Sequence, residues 1–165
     1  MKKFIAIAKQ FAEWHPDMLH EDKGNKRFFL IRSIVAMPDF VATMPKNQSP
    51  CLGFDMTPDC MIDGQKKTFA HTLYFLVKGG TGLPNDMEAE VDAIEKGYEL
   101  ADTFRRWIID HQQKLRTQGF RGIQIERERA YVMGPMMNGW MAVCLPVAVT
   151  ESVSDQLSDF TSKPI

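Results

Sequence analysis

No stretch of this chain approaches the roughly 18 consecutive apolar residues of a membrane-crossing helix, so no helical span is expected. A charge excess is missing too: 20 Lys and Arg against 21 Asp and Glu leave a formal net charge of −1. Domains that grip nucleic acid through its phosphates carry a basic surplus, so no specific nucleic-acid partner is expected. Cysteine is scarce. Cys51, Cys60 and Cys144 are odd in number, widely spaced and form no CxxC pair, which points to free thiols. What is present is an ordinary globular mixture, 44% hydrophobic and 25% charged, in 165 residues. That length suits one domain with a full core, and that composition excludes wholesale disorder.

Met1-Lys2-Lys3 followed by Phe4 to Ala8 imitates a secretory leader, but the apolar run stops at Lys9. A leader core needs about 7–15 residues. Phe4, Ile7, Ala8, Phe11 and Trp14 recur at helical spacing instead, and Pro16 ends the helix. A cytoplasmic protein is the expectation.

After a polar connection, residues 27–35 read as a strand rich in aromatic and β-branched side chains. Residues 36–64 hold Pro38, Pro45, Pro50 and Pro58, a density that denies a central strand its donors, so an irregular excursion is expected there. Short strands are allowed within it at residues 40–42 and 51–54. Asp63-Gly64 marks a turn into residues 67–77, apolar on both faces and therefore central in a sheet. Pro84 to Glu88 opens the main helix, with Asn85 as cap and Glu88 reaching back to it. Met87, Val91, Ile94, Tyr98, Ala101, Ile108 and Leu115 form one apolar stripe, with Leu100, Phe104 and Trp107 beside it. Unbroken over residues 86–118, this helix would be about 50 Å long. A compact chain of this size is only about 40 Å across. The helix therefore bends, with Gly97 the cheapest place, or its C-terminal end projects.

Residues 123–131 and 140–149 read as two further strands joined through Asn138-Gly139, a strong hairpin signal. Pro146 places the last strand at an edge or at a bulge. The expected fold is α+β: one domain over residues 1–150, a mainly antiparallel sheet on one long helix plus an N-terminal helix. Residues 151–165 read as a loosely ordered tail.

Chemistry is thinly signalled. Lys78-Gly79-Gly80-Thr81-Gly82 sits where phosphate loops occur, but its Lys precedes the glycines and carboxylates crowd the following helix start. His15, Asp17, His20, Glu21 and Asp22 lack the single helical face of an HExxH site. Asp55, Asp59 and Asp63 are spaced by four, unlike a calcium loop. No GxSxG elbow is present, and His71 reads as a hydrogen-bonded core histidine. No catalytic residue, metal or cofactor is assigned.

Methionine does stand out, at 11 of 165 residues, and Met133, Met136, Met137 and Met141 cluster with Trp140 around the last hairpin. Such residues either fill a core or form an adaptable surface for a partner. The basic end of the long helix, including Arg105 and Arg116, is either a solvated face or a second contact surface. As interface candidates we single out Met133, Met136, Met137, Trp140, Arg105 and Arg116.

A leading helix, antiparallel strands, a glycine-rich connection, one long helix and a closing hairpin ending in Asn138-Gly139-Trp140-Met141-Ala142-Val143 resemble tail-terminator (tail-completion) proteins of long-tailed phages and prophages. The resemblance implies a non-enzymatic virion protein, found in the host cytoplasm or the virion. It would form a homo-oligomeric ring, stop growth of the tail tube and join tail-tube to head-connector proteins. Two other classes stay open: a stand-alone protein-binding or regulatory module using the Met-rich hairpin, and a small-molecule enzyme with an unrecognised site.

Overall fold

Two long strands, β4 (Lys66–Lys78) and β7 (Trp140–Ser152), run antiparallel over their whole length, with Lys66 opposite Ser152 and Lys78 opposite Trp140. They form the spine of a computed structural model that describes residues 2–32, 34–64, 66–81, 86–125 and 129–152. Each outer side of the pair carries two shorter strands, one per half. Beside β4 lie β2 (Cys51–Asp55) on the half near Leu76 and β3 (Asp59–Asp63) on the half near Lys66. Beside β7 lie β6 (Tyr131–Met136) and β5 (Phe120–Ile125), again one on each half. A seventh strand, β1 (Phe28–Ile31), pairs with β2, the one parallel contact among the described residues of a mixed seven-stranded sheet. The fold is α+β, as the sequence implies.

One sheet face is covered by α1 (Lys2–Trp14) and α3 (Met87–Asp110). Phe4, Ile7 and Phe11 of α1 meet Leu100, Phe104 and Trp107 of α3 above Leu73, Phe75, Val143 and Leu145. Phe11 is the hub: its ring lies 5.1 Å from Phe104 and 5.9 Å from Trp107, both edge-on. Trp14, expected on the apolar stripe, is exposed. The opposite face is covered over the half near Trp140 by α2 (Met37–Ala42), whose Met37 and Val41 pack on Tyr74, Leu76, Trp140 and Cys144.

Several boundaries differ from expectation, each for a local reason. The strand expected over residues 27–35 stops at Ile31, and the strand expected at residues 40–42 is helical. Pro38 falls in the first turn of α2, where a backbone N–H has no helical partner to lose. The region 36–64 is thus built from α2, β2 and β3 rather than irregular. The long helix runs unbroken through Gly97; it breaks at His111 and resumes as α4 (Gln112–Thr117). Gly97 lies instead where α3 packs closely on Val143 of the sheet.

The stripe on α3 is also reassigned. Leu100, Ala101, Phe104, Trp107 and Ile108 are buried, whereas Met87, Val91 and Tyr98 are exposed. Residues 123–131 are not one strand: β5 ends at Ile125 and β6 begins at Tyr131. Pro146 is not in an edge strand, because β7 has neighbours on both sides. Among the described residues it lies at the step between them, since β5 reaches Val147 and β6 reaches Cys144. A nitrogen without a hydrogen is tolerated there. Thr150 to Ser152 extend β7 against residues 66–68, and the Thr68 and Thr150 hydroxyls lie 3.1 Å apart. The Asn85 cap and the tail from residue 153 lie outside the described residues.

Candidate functional site

The hairpin singled out from sequence turns through Met137–Gly139, with Asn138 in the left-handed region at φ 62°. That conformation suits Asn, whose short polar side chain tolerates it. The hairpin is not free. Asn138 Nδ2 donates to the Ala42 carbonyl at the end of α2 (3.5 Å), and Gly79 N–H donates to the Gly139 carbonyl (2.9 Å). Trp140 is 0% exposed, and Met133 and Met136 are half-buried against the same core. Trp140 therefore contributes no surface to a partner, because α2 folds over the hairpin and encloses its indole. Its Nε1 has no hydrogen-bond partner among the described residues. The side chain of Met137 lies outside the described residues.

Arg105 and Arg116 stand on different helices. Arg105 lines a cleft of about 370 Å³ between α3 and the β5–β6 side of the sheet, with Tyr98, Glu99, Asp102 and Leu145. Its Nε is buried there without a partner among the described residues. Arg116 is exposed at the end of α4 and borders a smaller pocket with Leu115, Phe120 and Arg121. The structure does not gather the six candidates into one patch.

The glycine connection holds an internal anion. Thr81 N–H donates to Asp86 Oδ2 (2.5 Å), its hydroxyl reaches the same oxygen, and Lys78 Nζ donates to the Gly80 carbonyl (2.8 Å). A side chain at Gly80 would collide with the Asp86 carboxylate. The Thr81 backbone donor is thus taken by the protein's own carboxylate.

The N-terminal histidines are structural. His15 Nδ1 accepts from Asp17 N–H (3.2 Å), and burial lowers its pKa. His20 Nδ1 accepts from Arg27 N–H (3.0 Å), while its Nε2 lies 3.3 Å from Asp22. Among the described residues, no three His, Cys, Asp or Glu side chains group closely enough to hold a metal ion.

His71 differs from its expected role. It is buried as predicted, but among the described residues neither ring nitrogen has a hydrogen bond of good geometry. Phe54, Phe4 and Phe69 surround it, with ring centroids 4.8, 5.5 and 6.1 Å away. Burial is the main cause that pushes its pKa down to about 4. Burial also pushes the Cys144 thiol up to about 12 and raises that of Cys51, so neither is an activated nucleophile.

Sequence reasoning missed two surfaces. Met87, Val91 and Tyr98 form an exposed apolar line on α3, interleaved with Glu88, Asp92, Glu95 and Glu99. Every residue of β3 is exposed, Met61 at 73% and Ile62 at 65%, along an edge with no further strand among the described residues. The signal for β3 lies in the apolar run Cys60–Ile62 just before the Asp63-Gly64 turn, but Pro58 beside it argues for irregular chain. No protein-family model and no curated protein matches this chain.

Proposed function

We propose that the protein is a non-enzymatic structural component of tail-terminator type, capping the tail tube of a phage or prophage and joining it to the head through a homo-oligomeric ring. The observation that carries this reading is the order of elements held together in one α+β unit. A leading helix, the β4–β7 ladder, a long helix entered from a glycine-bearing connection and a closing hairpin all pack on one sheet. Apolar side chains exposed on α3, and Lys114 and Arg116 exposed at the end of α4, on separate parts of the molecule, add to it. A ring needs two different contact surfaces on each subunit, and these are the candidates for them.

Proteins of this role act inside a particle, so the test is made there. Head, tail-tube and tape-measure genes beside this one are expected, and deleting it should leave headless tails of uncontrolled length under the electron microscope. Normal particles from the deletion strain would overturn the proposal.

A further inference from the structure

Among the described residues the sheet has two edges without a neighbouring strand on the same side of β4, and they carry opposite charge. Strand β1 pairs only with β2 and strand β3 only with β4 among the described residues. Lys26 and Arg27 precede the apolar run Phe28–Ile31, and Arg32 follows it. Strand β3 reverses that pattern, with Asp59 and Asp63 at its ends and Cys60, Met61 and Ile62 between them. An exposed edge of this kind is a template for another strand.

The β1 edge has room for one. The Arg27 and Ile31 carbonyls accept from Leu52 and Met56 N–H on the β2 side, both at 2.8 Å. By strand alternation the backbone groups of Phe28 and Leu30 point the other way. Along that side runs a groove of about 450 Å³, walled by Ile5 of α1 and Phe40 of α2. Lys26 lines it; its carboxylate, Asp22, is held by Lys9 at 2.6 Å. Leu30 is exposed to the groove.

We propose that the β1 edge of one copy pairs with the β3 edge of a second copy, and the reverse, in a closed twofold dimer. Three observations select this occupant. First, β1 and β3 run in the same direction, because β1 is parallel to β2 while β2 and β3 are both antiparallel to β4. A half-turn about an axis normal to the sheet therefore makes β1 of one copy antiparallel to β3 of the other. Second, the rim is stepped: β1 lies two strands out from β4, β3 only one, and they flank opposite halves of it. The same half-turn fits the step of one copy to that of the other, so both pairings form at once, with the two β1 strands end to end and the two Arg32 residues at the axis, each beside an Asp59. Third, the antiparallel direction brings Asp63 to the Lys26–Arg27 end and Asp59 to Arg32. Pairing β3 with its own copy would set Asp59 against Asp63, and pairing β1 with its own copy would set Arg32 against Lys26 and Arg27. Directly opposed like charges disfavour both.

This dimer does not rest on the tail-terminator reading, and the ring of that reading would use other surfaces. The experiment is light scattering and sedimentation on the full chain. Expected is a species of twice the 18.9 kDa chain mass. Two charge-reversed proteins, Asp59→Lys with Asp63→Lys and Lys26→Glu with Arg32→Glu, should each dimerise at least about tenfold more weakly while keeping the wild-type circular dichroism spectrum. Mixing the two should restore a dimer containing one of each, since every edge then meets its opposite. A wild-type protein that stays monomeric at several hundred micromolar overturns the proposal. So does a larger assembly, or a dimer indifferent to either reversal. A larger assembly indifferent to both reversals would at the same time favour the ring.

Discussion

Gly97 of α3 sits directly on Val143 of β7: a Cβ at Gly97 would lie 2.6 Å from Val143 Cγ2 and 3.6 Å from the Phe75 carbonyl. The glycine costs the helix about 1 kcal/mol against alanine. It lets the helix lie close enough for Leu100 and Phe104 to reach the sheet. Gly97→Ala should therefore destabilise the protein by about 1–3 kcal/mol despite alanine's better propensity. A urea midpoint at or above that of the wild type would refute this.

His71 makes stability depend on pH in a defined window. Its folded pKa is about 4 and its ordinary value 6.5, so on acidification the unfolded chain takes up the proton first. No penalty exists above pH 6.5; it grows as pH falls towards 4 and is constant below. The limit set by that shift is about 3 kcal/mol. His71→Leu should gain stability relative to wild type between pH 6.5 and 4 and not above pH 7. Parallel stability curves for the two proteins would show that the imidazole is not what titrates.

Trp140 and Met136 should behave as core residues. Trp140→Ala is expected to cost about 3–5 kcal/mol, and Met136→Ser, at a half-buried position, about 1–3 kcal/mol. Chemical denaturation reads the first effect, and light scattering should find the mass of the Met136→Ser protein unchanged. A Met136→Ser protein with wild-type stability but altered mass would return the hairpin to the surface.

The thiols provide a check on packing. Cys51 and Cys144 are buried, with pKa values raised by desolvation, while Cys60 is exposed on β3. A thiol reagent at neutral pH should titrate no more than one cysteine in the folded protein and all three in guanidinium. Two fast thiols in the folded state would contradict the burial of β2 or β7.

The loop anion makes a further expectation. Asp86→Ala removes the acceptor for both the amide and the hydroxyl of Thr81. A loss of about 1–2 kcal/mol should follow, together with faster amide exchange at Thr81. Unchanged exchange there would mean that the carboxylate does not hold the loop.

Local signals alone determined much of this protein. The spacing of Phe4, Ile7, Ala8 and Phe11 with Pro16 beyond it specified α1, and the two-sided apolar run of residues 67–77 specified β4 as a central strand. Periodicity and breakers are short-range properties, so they survive without knowledge of the partner. Tertiary structure decided which of two apolar stripes α3 buries, because only the sheet says where a helix with Ala93, Gly97 and Ala101 on one side can approach. It also decided that Trp140 faces inward, since the lid over it, α2, comes from about a hundred residues earlier in the chain. The open edges of β1 and β3, and the charges that make them complementary, likewise exist only once the order of strands is set. A strand's sequence states its faces, but whether its edge has a neighbour depends on chain distant in sequence.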